Sequence, residues 1–347
     1  MIEININPTS ALDNLKLLQD KLGGQISNNS NLYKLTINSE VAFGTITCAN
    51  FDWGINYLDI KVKFFEEVII KTVSNRYNPL RFMYAYEGHF GHRFGIDNDE
   101  RQVDNFHSLI FTNKNGGVNF IYFPKNLPLH INMIQLERQS FLKKKTTNVS
   151  SLNEKLHEIF VDTDHKNRFA HYGVLNLKIG DFIQKLENLK GNGMVKILKM
   201  EALVYEILSF HIQQHNQSQS GIALPASLSK RELKIISDLG RKIIKHPSYQ
   251  YNLNELSGES GLAQAKLQDG FKFLYKRTVT EYVRHIRLEK SRELLKASNL
   301  NISQVVYSIG FTSRSYFSKI FKEKYQISPN EYRKNIIKNL RVEEVAA

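Results

Sequence analysis

Between residue 32 and about residue 136 apolar and polar positions alternate with a period of two. Tyr33, Leu35 and Ile37 form one such run, then Ile60, Val62 and Phe64, then Leu80, Phe82, Tyr84 and Tyr86, then Val118, Phe120 and Tyr122. β-Branched and aromatic residues in that pattern predict half-buried strands. Asn115-Gly116-Gly117 predicts a hairpin-type turn before Val118. Many short strands in one region predict a sandwich or a small barrel. Such a fold can enclose a cavity for one small ligand. Ahead of it, residues 10–22 predict a helix with Leu12, Leu15, Leu18 and Leu22 on one side, ended by Gly23-Gly24.

The period then becomes helical. Ser151-Leu152-Asn153-Glu154 reads as a capping box. Ile179, Phe182, Ile183, Leu186 and Leu189 make one apolar stripe, broken by Gly191-Asn192-Gly193. A longer helix is predicted over residues 194–212. Leu198, Ala202, Tyr205, Leu208 and Ile212 lie on one face, with Ile197, Val204 and Ile207 adjoining. That surface is wider than one stripe. Either one face packs on a second subunit, or both are buried in one chain. Residues 213–227 are polar and aperiodic, and predict a linker.

The last third carries a repeat. Asn301 and Gln304 can cap a short helix whose apolar face is Val305, Val306 and Ile309; Gly310 stops it. A second helix follows from Thr312 or Ser313, with Tyr316 or Phe317, Ile320 and Phe321 inward and Arg314, Ser315 and Lys319 outward. Two short helices around a glycine turn, the second with a basic outer face, follow the helix-turn-helix plan. The plan recurs upstream: Asn252 opens a helix, Gly261-Leu262 parallels Gly310-Phe311, and Leu267 and Phe271 parallel Phe317 and Phe321. A helix over about residues 281–297 joins the copies, with Tyr282, Val283, Ile286, Leu294 and Leu295 inward.

Charge sharpens this picture. The chain of 347 residues has a formal net charge of +13. From Leu228 onward there are 23 Lys and Arg against 12 Asp and Glu, so nearly all of the excess sits in the last third. A basic module joined to a near-neutral one suits a polyanion partner. Cys48 is the only cysteine, which excludes an intramolecular disulfide and a thiolate metal cluster and fits a reducing cytoplasm. No apolar run is long enough to span a bilayer, and no signal-peptide pattern opens the chain. The expectation is a cytoplasmic protein with no membrane partner.

The tandem arrangement resembles the DNA-binding domain of the AraC/XylS family of bacterial transcription regulators. Arg287-Leu288, Leu294-Leu295, Ile309-Gly310-Phe311, Tyr316-Phe317, Phe321-Lys322, Ser328-Pro329 and Tyr332-Arg333 carry the resemblance, over about residues 228–333. It implies an α+β chain: a sensing and dimerisation domain at 1–212, cupin-like β-barrel or sandwich at about 30–137 and helical at about 150–212. A linker at 213–227 and an all-α domain at 228–340 with two helix-turn-helix motifs follow. The implied partners are double-stranded DNA, RNA polymerase, a second copy of the chain and a small-molecule effector. An activator is the implied role.

Position by position, the resemblance makes Gln264, Ala265, Lys266, Gln268 and Asp269 the outward residues of the first recognition helix. Arg314, Ser315, Tyr316 and Lys319 are those of the second. Arg suits guanine, Gln suits adenine, and Tyr or Ala can touch the thymine methyl. Arg284, Lys290, Arg292, Lys322 and Lys324 are candidates for phosphate contacts, which position without specifying. Three departures stand out. Lys276 and Gln326 occupy positions where the family usually has glycine, which predicts turns built differently there. Ala263 offers no side-chain cap, and Gly270 weakens the first recognition helix. Asp269 repels phosphate, yet can accept from cytosine. The first motif therefore reads DNA less stringently than the second, or more so if Asp269 meets a base.

Other chemistry is sparse. Glu87, His89 and His92, with His107 and His130 beyond, have the wrong spacing for a cupin metal set, because His89 and His92 would point to opposite faces of a strand. His157, His165 and His171 show no ligand spacing, and Lys143-Lys144-Lys145 reads as a solvated charge run. No nucleotide-binding loop or nucleophile motif is present. The expectation is no catalytic residue, no metal and no cofactor. Tyr84, Tyr86, Phe120 and Tyr122 are the candidate inner wall of an effector pocket. Two alternatives to effector control remain: control by a protein partner, and a cupin-type metalloenzyme carrying a DNA-binding tail.

Overall fold

The period-two segments are strands, and they pair into two sheets. The computed structural model describes residues 1–6, 11–29, 32–75, 77–96, 98–144, 148–219, 228–297 and 300–335. The chain divides into two units, Met1–Ile222 and Ala223–Ala347. Residue 10, the start of the first expected helix, and Lys145 lie outside the described residues.

The first unit runs β1 (Ile2–Ile6), α1 (Ala11–Leu22), β2 (Gln25–Asn29), β3 (Leu32–Asn38), β4 (Ala42–Phe51), β5 (Ile55–Phe64), β6 (Val68–Val73), β7 (Leu80–Glu87), β8 (Phe90–Phe94) and β9 (Arg101–Val103). It continues with β10 (Ser108–Thr112), β11 (Val118–Phe123), β12 (Pro128–Leu136), α2 (Arg138–Leu142), α3 (Glu154–Val161), β13 (Phe169–Tyr172), α4 (Leu177–Glu187) and α5 (Gly193–Gln219). One sheet has the order β1-β6-β11-β8-β9, the other β13-β10-β7-β12-β5-β4-β3-β2. Neither closes on itself. They share one apolar core, to which the first contributes Ile4, Val68, Phe90 and Ile121 and the second Leu35, Ile46, Ile60, Met83 and Ile131. Of the two expected forms, this is the open sandwich and not a closed barrel.

Three local expectations change. The turn at Asn115-Gly116-Gly117 forms, with Gly117 N donating to Lys114 O at 2.9 Å. However, β10 belongs to the larger sheet and β11 to the smaller, so the turn is a crossover between sheets and not a hairpin. Turn chemistry fixes a local reversal; core burial decides which strands pair. Asn153, not Ser151, caps α3, accepting from Leu156 N at 2.9 Å. α5 runs past residue 212 to Gln219, so the first part of the expected linker is helix; residues 220–227 lie outside the described ones. Met200, Val204, Ile207, Leu208 and His211 are its buried face, while Met194, Val195 and Leu198 are exposed.

The second unit is all helix among its described residues: α6 (Lys230–Lys245), α7 (Leu253–Ser260), α8 (Gln264–Tyr275), α9 (Val279–Ala297), α10 (Ile302–Ser308) and α11 (Arg314–Tyr325). Caps set the boundaries. Asn252 caps α7, Asn301 and Gln304 form the capping box of α10, and Ser313 caps α11. Ala263 makes no side-chain cap. Gly261 and Gly310 take φ of 68° and 84° in the turns between paired helices. Lys276 and Gln326 also end their helices left-handed, at φ of 56° and 62°. Those turns are thus built on the glycine geometry without the glycine, contrary to expectation. Gly270 has a packing reason as well: a Cβ there would lie 2.1 Å from Ile236 Cδ1 of α6. The inward residues of α9 are placed as expected, with Tyr282, Val283, Ile286 and Leu295 buried.

Candidate nucleic-acid interface

The second motif is held from beneath. Val305, Val306, Ile309, Phe317 and Phe321 are fully buried in one cluster with Leu288 and Leu295 of α9. Gly310 sits at the turn because a Cβ there would meet Ser248 O at 2.5 Å. The loop it touches is pinned: Arg287 Nε donates to Pro247 O at 2.9 Å, and its guanidinium also donates to Tyr249 O at 2.9 Å. Gln250 Nε2 donates to Gly310 O at 2.9 Å. Arg287 from the joining helix therefore ties the segment before the first motif to the turn of the second. The outer face of α11 is left to solvent. Arg314, Ser315, Tyr316 and Lys319 are all exposed, in its first two turns. All four expected residues are thus brought together on one helix face.

The first motif is different. Gln264 and Ala265 are exposed at the start of α8, though Gln264 Nε2 donates to Asn254 Oδ1 at 2.5 Å. Lys266 Nζ pairs with Glu232 Oε1 at 2.7 Å. Gln268 Oε1 accepts from Val279 N at 3.1 Å, which satisfies an otherwise open amide at the start of α9. Asp269 is exposed. Lys266 and Gln268 thus hold the fold locally, and the outward face of α8 is narrower than the sequence implies.

Of the five phosphate candidates, Arg284 and Lys322 are exposed, as is Lys290, which pairs with Glu293 at 2.7 Å. Arg292 is buried and Lys324 half-buried. Arg292 is 5% exposed and lies 3.2 Å from Glu289, and Lys324 reaches the same carboxylate from α11. Burial alone would raise the Glu289 carboxyl; Lys324 and Arg292 hold it well below the usual carboxylate range. His285 beside them is kept neutral by burial and by Lys324. Hydrophobic periodicity could not find this cluster, because basic residues on a mostly polar helix look alike whether they face water or a buried acid. Tyr307, 62% exposed at the end of α10, is a further exposed ring of the second motif that sequence reasoning did not single out. Its signal was a large ring off the Val305-Val306-Ile309 stripe.

The remaining candidates disperse. Met83 and Ala85 of β7 enter the core between the sheets, so Tyr84 and Tyr86 face the other way, where Tyr84 Oη donates to Asn176 O at 2.7 Å. Ile121 and Phe123 enter that core from β11, so Phe120 and Tyr122 lie on the outer face of the smaller sheet, with Arg93 over both rings. The four do not line one wall. His92 is buried, pairs through Nδ1 with Tyr172 Oη at 2.8 Å, and is pushed down to about 3 by burial. His130 pairs instead with Asp59 at 2.7 Å. Among the described residues no group of three or more His, Cys, Asp or Glu is arranged to hold a metal ion. No described helix is long and apolar enough to cross a membrane.

Residues 256–335 match a family model described as a helix-turn-helix domain. The chain is 29% identical to the HTH-type transcriptional regulator MtrA of Neisseria gonorrhoeae, over 39% of this chain and 45% of that protein. It is 28% identical to the regulatory protein SoxS of Escherichia coli K12, over 29% of this chain and 94% of that protein. The C-terminal domain of AraT, a response regulator from Geobacillus stearothermophilus, is 27% identical over 29% of this chain and 84% of that one, with a TM-score of 0.28. The chain spans less than half of the first of these relatives.

Proposed function

We propose that this chain, whose residues 256–335 form an AraC-type helix-turn-helix domain, is a sequence-specific DNA-binding transcription regulator. The observation that carries the reading is the face of α11, where Arg314, Ser315, Tyr316 and Lys319 stand exposed on a helix fixed by the Gly310 turn. A helix with that face enters a major groove: Arg314 pairs with a guanine, Tyr316 packs on a thymine methyl, and Lys319 and Lys322 meet edges or phosphates. α9 has 19 residues and is about 28 Å long at ~1.5 Å per residue. It suits two recognition helices in successive grooves of one duplex face.

The same reading includes activation through RNA polymerase, and a homodimer formed through the outward face of α5, where Met194, Val195 and Leu198 are exposed. A small effector in the first unit controls it. The apolar filling between the sheets favours a second reading, control by a protein partner. An open cleft on the other face of the larger sheet favours the first. The test is selection of full-length protein on random duplex DNA. A recovered motif with two half-sites supports the reading; recovery of unselected sequence sinks it.

A further inference from the structure

The larger sheet turns a polar strip away from the shared core. Its cross-strand register sets Lys34, Thr47 and Asp59 in one row and Thr45 with Lys61 in the next. Residues directly opposite one another project to the same side of a sheet. A cleft of about 290 Å³ lies over these rows, with Tyr57 also in its lining. Its far wall is Leu186 and Glu187 from the end of α4, Leu189 just beyond it, and Lys196 and Met200 from the start of α5. The size is at the small end for a metabolite site.

The charges in it are not balanced evenly. Lys61 Nζ lies 3.3 Å from Asp59 and 3.0 Å from Glu187, and His130 Nε2 lies 2.7 Å from Asp59. Both carboxylates are therefore already met. Burial would raise the Asp59 carboxyl, but His130 and Lys61 hold it well below the usual range, so it is an acceptor at neutral pH. Lys34 and Lys196 line the same cleft and make no ion pair among the described residues. Two unneutralised ammonium groups call for an anion. The Thr45 and Thr47 hydroxyls call for hydroxyl groups on it, and Leu186, Leu189 and Met200 for a carbon skeleton.

We infer that this cleft binds a small hydroxylated organic anion, and that its occupant sets how α5 leaves the sheet. The second half rests on the regulator reading above. The joint between α4 and α5 is Gly191-Asn192-Gly193, with φ of 124° and 53° at the two glycines. A ligand that touches Leu186 and Leu189 before the joint, and Lys196 and Met200 after it, favours one joint angle over others. The outward Met194, Val195 and Leu198 belong to the same first turns of α5 and move with it. Occupancy is thereby transmitted to the face assigned to subunit pairing.

The test is calorimetric titration of the full chain with five probes: gluconate, glucose 6-phosphate, glucose, glucosamine and inorganic phosphate. At least one of the two hydroxylated anions binds saturably at one site, with a Kd of about 1 mM or tighter. Glucose, glucosamine and inorganic phosphate bind at least about tenfold more weakly, a difference of ~1.4 kcal/mol. Which anion binds distinguishes a carboxylate from a phosphate. The double variant Lys34→Gln, Lys196→Gln loses at least about tenfold while keeping its thermal midpoint, as both side chains are off the apolar core. Silence from both anions, equal binding of glucose or inorganic phosphate, or an unaffected double variant overturns the site. If the anion binds but neither the sedimentation profile nor DNA affinity shifts, the coupling is overturned and the site stands. Failure of the random-DNA selection would remove the regulator reading without touching either titration.

Discussion

Basic residues that look alike in the sequence do opposite work in the second unit. Arg314 and Lys322 face solvent, whereas Arg292 and Lys324 surround Glu289. Arg314→Ala is expected to lower affinity for the preferred site by ~1–3 kcal/mol and to relax preference at one base pair, while Lys322→Ala weakens all sequences alike. Competition binding on a panel of single-base variants separates the two. Lys324→Met is expected to act on the fold instead, by roughly 3–5 kcal/mol, because it strips a partner from a buried carboxylate. The pH dependence has a definite sign. Glu289 has a folded pKa below its ordinary 4.5, so its contribution is complete above that value and is lost as pH falls through the folded pKa. His285, held below its ordinary 6.5, adds loss in the same direction once the unfolded chain takes up a proton. Denaturant titrations of the full chain are expected to show stability falling below pH 6.5 through His285 and more steeply below pH 4.5 as Glu289 adds its loss. Glu289→Gln is expected to be less stable at pH 7 and to lose only the part of the slope that lies below pH 4.5.

At the level of elements, local propensity and packing disagree in a testable way. Gly270→Ala improves helix propensity by up to ~1 kcal/mol. It is nevertheless expected to destabilise by ~1–3 kcal/mol, because the added methyl meets Ile236 Cδ1 across the α6–α8 contact. Gln326→Gly works the other way. Its left-handed φ of 62° costs a non-glycine residue ~1–2 kcal/mol. Part of that is returned to the unfolded chain as entropy, so a net gain of up to ~1 kcal/mol is expected. Gly310→Ala combines a positive φ with a clash against Ser248 O, and is expected to cost more than ~2 kcal/mol and DNA binding with it. Denaturant midpoints of the three variants decide all three signs.

For the whole molecule, charge and assembly carry the predictions. The net charge of +13 is concentrated in the second unit, so DNA affinity is expected to fall steeply with salt, by about 0.9 in log units per log unit of salt for each phosphate neutralised. Replacing Lys322 should reduce that slope by about one contact, and Arg292 not at all. Leu198→Glu on the outward face of α5 is expected to give folded monomers. Sedimentation that shows a monomer for the unaltered chain at high micromolar concentration would remove the dimer.

The caps, the glycine turns and the period-two and helical stripes were legible in the sequence, because each depends on neighbours within a few residues. Asn301 with Gln304, Gly261, Gly310, and the inward Phe317 and Phe321 all sit where their local pattern puts them. With the repeat, those signals were enough to identify the second unit and the exposed face of α11. Whatever depends on residues far apart in the chain was decided only by the tertiary structure. Alternation says that Tyr84 and Phe120 lie on one side of their strands, but not that these sides face away from the shared core. Asn115-Gly116-Gly117 specifies a reversal, but not that the strands on either side join different sheets. Lys266 and Lys324 are basic wherever they lie. Only the approach of Glu232 and Glu289 from other helices makes them structural. The anion cleft is of the same kind, since Lys34 and Lys196 lie 162 positions apart and come to line one cleft only in the folded unit.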